Sequence, residues 1–419
     1  MKTLGIIAEY NPFHPGHKYQ IDKAREATNA DCVIAVMSGN FVQRGEPAIA
    51  DKITRAKTAL VSGIDLVVEL PVLYSTAGAQ IFAYGGVNIL DKLGADYISF
   101  GAETKDVTLL QTIADYLFDE PEEYRTSLKK HLAGGASFAL ARSLALSDCG
   151  VAQNIIEELS KPNNILGIEY LKAIRYFNST ITPVPVSRKG AGYNDTDTDT
   201  IFASATGIRR IMSHSYEALS TANCADTEDY SKFLSSEVNL ILAEEFGKTM
   251  PILPDDVSPL LSYALESNKT YVHFADSTEN ISNKICNLTR PFYSISYNEL
   301  IDALKTKELT YSRLSRVMAH ILLGITQDKI KYCADNSYPA YARILGFNDA
   351  GQQYLHEIRD KEGIPVITSV NSGIKKLPAQ LIPIWESDVQ ATNIYNLIVK
   401  NKFNTILPDD YRMQPVINS

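Results

Sequence analysis

The stretch Gly5-Ile-Ile-Ala-Glu-Tyr-Asn-Pro-Phe-His-Pro-Gly-His-Lys18 limits what this chain can fold into more than any other. Leu4 to Ala8 is a short apolar run suited to a buried parallel strand, and Asn11-Pro12 breaks it. From Gly16 the pattern restarts as an amphipathic helix, with Ile21, Ala24 and Ala27 on one face. Pro15 suits a first helical turn, where its missing N–H is not needed, and Gly16 lets a ligand approach the backbone. His14 and His17 therefore flank a helix N-terminus at the carboxyl end of a strand. Free N–H groups and the positive end of a helix dipole gather there, so the place suits an anion. Two imidazoles can bond phosphate oxygens and stabilise charge growing on a pyrophosphate leaving group. The competing reading is two histidines in an ordinary loop.

The pattern around this stretch repeats. Strand-like runs near 3–9, 31–37, 64–70 and 96–101 alternate with helical patterns near 16–28, 51–62 and 76–93. That alternation predicts an α/β fold, a Rossmann-like parallel sheet covered on both faces, which binds ligands beyond the carboxyl ends of its strands. The loop Ser38–Pro47 leaves the second strand at that edge, and its Arg44 either covers a substrate or is an ordinary exposed arginine. Residues 104–160 read as a helical insertion or cover whose stripe Leu109, Leu110, Ile113 and Leu117 belongs to the core. Ile181–Ser187 reads as a further strand. It runs into Arg188-Lys-Gly-Ala-Gly, where two cations beside two glycines can reach triphosphate oxygens. Asp195, Asp197 and Asp199 form either a cation site or a solvated loop.

Composition narrows the setting. The five cysteines are scattered and lack CxxC spacing, which argues against a disulfide framework or zinc site and fits a reducing cytoplasm. The first apolar run stops at Glu9, unlike a signal peptide, and no run approaches the roughly 18 residues of a membrane span. A formal net charge of −9 means that any nucleic-acid contact depends on a local basic surface.

His14-Pro-Gly-His17 resembles the HxGH signature of the nucleotidyltransferase superfamily, whose members attack the α-phosphate of a nucleotide and expel pyrophosphate. The longer string Glu9–His17, followed by Met37-Ser-Gly-Asn-Phe-Val-Gln-Arg-Gly-Glu-Pro47, resembles the bacterial tRNA(Met) cytidine acetate ligases. Phe202-Ala-Ser204-Ala-Thr206-Gly-Ile-Arg209 resembles the superfamily's second signature, which holds the β- and γ-phosphates from a helix start. Ser204 or Thr206 would cap that helix, and Arg209 would bind the same anion. The resemblance implies that Ile7, Ala8, Glu9, Tyr10, Asn11, Pro12, Phe13, His14, Pro15, Gly16, His17, Lys18, Tyr19 and Gln20 lie against ATP. It implies the same for Gly101, Arg188 and the Asn163-Asn164 pair, without saying which asparagine faces the ligand. His14 and His17 would be the catalytic pair. Mg²⁺ is expected beside the triphosphate, its ligands unidentified.

A boundary near Ser213–Asn223 divides the chain into residues 1–215 and a mainly helical second domain, 216–419. Helical stripes are expected at about 228–246, 298–323, 350–360 and 387–400, with a strand-like run at Ile364–Val370. Arg313, Arg316, Lys329, Lys331 and Arg343 stand among Tyr332, Tyr338 and Tyr341. Cations interleaved with aromatics suit RNA, although solvated charges and core tyrosines look alike in sequence. The resemblance implies a two-step ligase. Acetate and ATP would give acetyl-adenylate, and the wobble cytidine of elongator tRNA(Met) would take the acetyl group. A small-molecule adenylyltransferase and a non-catalytic nucleotide sensor are the other readings. Pyrophosphate release separates enzyme from sensor, and acetate dependence separates ligase from adenylyltransferase.

Overall fold

The computed structural model describes residues 1–104, 106–136, 138–159, 161–187, 204–221, 229–359 and 363–418. Arg188 and the carboxylates at 195, 197 and 199 lie outside the described residues. The expected alternation forms β1 (Thr3–Ala8), α1 (Pro15–Thr28), β2 (Cys32–Ser38), α2 (Lys52–Val61) and β3 (Leu66–Leu70). A helix over Ala79–Leu93 and β4 (Tyr97–Ala102) follow. Then come a cover of helices, the helix Pro162–Tyr176 and β5 (Thr182–Ser187). These five strands are parallel, in the order β5-β4-β1-β2-β3. Every residue of β2 and β3 is buried, as a parallel sheet flanked by helices demands. Alternate residues of β2 serve different cores: Cys32, Ile34 and Val36 face one, Val33, Ala35 and Met37 the other.

The second half starts as a run of helices, among them Ser236–Glu245, Tyr297–Leu304 and Tyr311–Leu323. The stripe expected over 298–323 is thus two helices, because the chain turns extended at Lys305. The helix Tyr311–Leu323 lies directly on the loop after β2. Gly45 takes φ +78°, and a Cβ there would stand 2.4 Å from the Arg316 backbone nitrogen. The Tyr297 hydroxyl bonds Ser315, and His320 bonds the carbonyl oxygens of Ala275 at 2.9 Å and Thr76 at 3.1 Å.

The chain then returns to the sheet. β6 (Ala342–Asn348) runs antiparallel to β3, pairing Leu66 with Phe347 and Glu69 with Arg343. β7 (Val366–Ile367) and β8 (Val416–Asn418) both pair with β6. Residue 215 is therefore no boundary of the sheet, which takes strands from both halves.

This return corrects one expectation. Arg343 is 3% exposed and cannot meet an RNA phosphate. Its guanidinium lies 2.8 Å from Asp410 and 3.3 Å from Glu69. The Lys52 ammonium, also buried, stands 2.7 Å from Glu69 and 3.0 Å from Asp410. Two cations and two carboxylates neutralise one another inside the β3–β6 seam, the only arrangement in which burying them is tolerable.

Candidate functional site

Strand order reverses at β1, which has β2 on one side and β4 on the other, and ligands of such sheets bind in the crevice opened there. A cavity of about 250 Å³ occupies that crevice. Its floor is the end of β1 (Ile7, Ala8, Glu9) with Tyr10, and Gly101 at the end of β4. His17 and Gln20 of α1 form one wall, with Gln43 from the loop after β2. The helix Pro162–Tyr176 supplies Asn163, Leu166 and Tyr170, spaced by three and four residues so that they share one face.

The helix start is built as its residue types dictate. His14, extended at φ −144°, caps α1, and Pro15 opens the first turn. The Gly16 N–H donates to His14 Nδ1 at 3.1 Å, and the His14 N–H donates to His17 Nδ1 at 3.3 Å. With both Nδ1 atoms accepting, a neutral imidazole at either position carries its proton on Nε2 and is a donor there. The two rings stack at 3.8 Å, and His17 also meets the edges of Tyr10 and Phe13. Gly16 permits this fold-back: a Cβ there would lie 2.8 Å from the His14 ring.

Not all of the Ile7–Gln20 segment lines the cavity. Asn11 is structural: its side chain accepts from the Ile49 N–H at 2.7 Å, and its carbonyl accepts from Arg209 at 2.8 Å. Pro12 and Phe13 are buried, and the Asn11–Pro12 peptide is cis. Pro15 and Lys18 are exposed, and the Lys18 ammonium pairs with Asp22, one turn on, at 2.5 Å. Tyr19 is half-buried beside it in α1.

The asparagine pair separates cleanly. Asn164 is wholly buried: its side chain accepts from the Glu103 N–H at 2.9 Å and donates to the Glu158 carboxylate at 2.7 Å. Asn163, held by the Glu103 carboxylate at 2.5 Å, is the one in the cavity wall.

The second signature meets the first through Arg209. The helix Ala205–Thr221 is capped by Ser204, whose hydroxyl accepts from the Gly207 N–H at 3.2 Å. Thr206 Oγ1 lies 3.3 Å from the Arg209 guanidinium, which reaches back to the Asn11 carbonyl. Ser204 and Thr206 are exposed, so hydroxyl, guanidinium and helix N-terminus gather beside the β1–α1 turn.

One group here was not legible in the sequence. Arg55, fully buried in α2, donates to the carbonyls of Glu9 at 2.7 Å, Ser38 and Ala50 at 3.0 Å, and Gly39. It ties the carboxyl ends of β1 and β2 together, yet a mid-helix arginine looks like any solvated one. Tyr10 is 2% exposed, lines the cavity, and its hydroxyl meets no hydrogen-bond partner among the described residues. A buried hydroxyl of this kind needs an acceptor, and the cavity is where one can be supplied. Glu9 also lines the cavity. One of its oxygens accepts the Gln43 N–H at 3.0 Å, and burial raises its pKa, opposed by that bond and by Arg209, Arg44 and Arg55.

Apart from the buried Arg343, the cations expected to meet RNA stand in different local surroundings. Arg316 is bound to Asp276 at 2.6 Å, Lys331 pairs with Asp335 at 2.5 Å, and Lys329 is half-buried. Arg313 is half-buried on the helix that covers the Gly45 loop, two residues from Tyr311, whose hydroxyl meets the Glu46 carboxylate. No group of three or more His, Cys, Asp or Glu is placed to hold a metal ion among the described residues. Nor, among them, is any helix long and apolar enough to cross a membrane.

Comparison with known proteins agrees with this fold. Residues 1–408 match the family model described as HIGH Nucleotidyl Transferase. The chain is 42% identical over 409 residues to the tRNA(Met) cytidine acetate ligase of Thermoanaerobacter sp. (strain X514), covering 96% of each chain. It is 39% identical over 427 residues to the enzyme of that name from Clostridium kluyveri, covering 100% of this chain and 99% of the relative. Its fold superposes on the crystal structure of Thermotoga maritima TmcAL bound with alpha-thio ATP with a TM-score of 0.86. There the identity is 31%, over 100% of this chain and 99% of that one. The apo form of that protein gives a TM-score of 0.88 at 32% identity, with the same coverage. The chain belongs to the tRNA(Met) cytidine acetate ligase family of HIGH nucleotidyl transferases.

Proposed function

We propose that this protein activates acetate with ATP to acetyl-adenylate and transfers the acetyl group to the wobble cytidine of elongator tRNA(Met), giving N4-acetylcytidine, AMP and pyrophosphate. The observation that carries this reading is the cavity at the β1–β4 switch point, with His17 in its wall and the stacked histidines capping α1 beside it. Acetate is already a nucleophile, so the first step needs alignment and charge stabilisation rather than a base. Asn163, Gly101 and Tyr170 would hold the adenosine half of ATP. His14 and His17 would donate to the phosphates as the α–β bridge breaks, and Ser204, Thr206 and Arg209 would bind the departing pyrophosphate. Arg188 belongs with them in this reading. Mg²⁺ would arrive on ATP as part of the substrate, carried by the phosphate oxygens. Of the five cations proposed for tRNA, Arg313, Lys329 and Lys331 remain candidates, with Arg316 as a brace through Asp276. A cytoplasmic setting goes with these substrates.

Incubation with ATP, acetate and an elongator tRNA(Met) transcript, followed by nucleoside mass spectrometry, tests the reading. N4-acetylcytidine that depends on both ATP and acetate is expected. Pyrophosphate release that is indifferent to acetate would instead mark a small-molecule adenylyltransferase.

A further inference from the structure

We propose that Glu9 is the general base that takes the proton from the cytidine N4 amine in the acetyl-transfer step, an inference that rests on the two-step reading above. The amine is a poor nucleophile because its lone pair is delocalised into the pyrimidine ring. Once N4 bonds to the acetyl carbonyl carbon, the nitrogen becomes strongly acidic and must lose a proton. The N–C bond forms, the bond from that carbon to the phosphate oxygen breaks with its electrons going to AMP, and the N4 proton goes to the Glu9 carboxylate. Atoms and charge balance without a further reactant.

Among the described residues lining the cavity, Glu9 is the only carboxylate. Tyr10 and Tyr170 are phenols whose pKa values burial pushes up, so neither is an anion near neutrality. Gln20, Gln43 and Asn163 cannot take a proton, and His17 already accepts the His14 N–H at Nδ1. A carboxylate beside a triphosphate is an unhelpful group for binding ATP, since like charges repel in a site that excludes water. It becomes useful only after pyrophosphate has left and an amine has entered. Burial has the right sign, because a carboxylate held above its ordinary pKa is a better proton acceptor. The position is fixed as well: one oxygen is held by the Gln43 N–H, and Arg55 grips the Glu9 carbonyl.

Arg209, Arg44 and Arg55 shape the titration of Glu9, Tyr170 interacts with its charge, and His17 and Tyr10 line the same cavity. Transfer therefore rises with pH as Glu9 ionises and levels off above its raised pKa. The experiment supplies chemically made acetyl-adenylate and elongator tRNA(Met) to the full chain and follows N4-acetylcytidine in a single turnover across a pH series. Glu9→Gln keeps an oxygen for the Gln43 N–H, and Glu9→Asp keeps the charge; circular dichroism checks that both fold. Glu9→Gln should lose about 10²–10⁴ in transfer rate and lose the limb that rises with pH. Glu9→Asp should be slow but retain that limb. Transfer by Glu9→Gln within about threefold of wild type overturns the proposal. So does a slow Glu9→Gln that keeps the wild-type pH limb, which would make Glu9 a positioning residue for the loop after β2. If wild type itself transfers no acetyl group from acetyl-adenylate, the two-step reading falls and the role of Glu9 with it.

Discussion

The carboxyl end of β1 and the β3–β6 seam both bury polar and charged groups, and they handle them in opposite ways. At β1, the two histidines bond to sequence neighbours: His14 accepts from Gly16, two residues on, and donates to His17, three residues on. Beside them opens a cavity, with His17 in its wall, in which the Tyr10 hydroxyl meets no partner among the described residues. At the seam, Lys52, Glu69, Arg343 and Asp410 come from distant parts of the chain and close on one another. Buried polarity that is left open marks a place for a ligand, and buried polarity that is closed off marks a place where the chain joins itself. The first kind leaves a short motif in the sequence. The second leaves none.

The largest effect that would break this contrast concerns the seam. Arg343→Ala removes one cation from a closed cluster and leaves Glu69 and Asp410 undercompensated in the interior. Denaturant unfolding should show a loss of about 3–5 kcal/mol, the usual consequence of stranding a buried charge. A loss below about 1 kcal/mol would mean that the cluster tolerates water, and the seam would then resemble an open site.

At the other region the matching change should cost chemistry and spare stability. His17→Ala should lower single-turnover adenylation by about 10²–10³, the scale for deleting one donor to a developing charge. ATP affinity measured by calorimetry should change much less, because the donor acts mainly in the transition state. An unchanged rate with weakened affinity would make His17 a binding residue only.

How much of this was legible follows the same division. Strand β1, the Pro15 helix start and the His14 cap lie within about a dozen consecutive residues, so local pattern and resemblance were enough to find them. Which of Asn163 and Asn164 faces the cavity was not legible, because Glu103 decides it from sixty residues away. Nothing in the local sequence of α2 tells Lys52, its first residue, or Arg55 from a solvated cation, yet both are buried. β6 was missed for a related reason. Its sequence Ala-Arg-Ile-Leu-Gly-Phe-Asn carries a charge that a central strand tolerates only when Glu69 and Asp410 wait for it.

Arg209 stands between the two behaviours, and a smaller effect decides its side. It reaches the exposed Thr206, as a phosphate ligand would, but also grips the Asn11 carbonyl, as a brace would. Arg209→Ala should weaken ATP binding by about 1.5–3 kcal/mol, the value of a hydrogen bond to a charged group. AMP binding should weaken by less, because AMP lacks the distal phosphates. Equal losses for the two nucleotides would assign Arg209 to holding the β1–α1 turn.

The smallest effect is the sharpest test of how finely the open site is built. Gly16→Ala adds one methyl group at a backbone that needs no glycine for its dihedral angles, so strain in the helix is not the issue. The new Cβ would stand 2.8 Å from Cε1 and 3.0 Å from Nδ1 of His14. Those atoms belong to a movable ring, so the ring should swing away rather than the helix deform. Swinging breaks the bond from the Gly16 N–H, and losing a cap of this kind costs about 1 kcal/mol. It also unstacks His14 from His17, whose Nδ1 is held by the His14 backbone and should keep its place. Adenylation should therefore fall by roughly tenfold, less than for His17→Ala, with a stability loss near 1 kcal/mol. Thermal unfolding and single-turnover adenylation of the variant read both quantities. A full-sized rate loss at this small stability cost would show that the stacked pair acts as one unit. A variant with wild-type rate would show that His14 contributes the cap and His17 alone the chemistry.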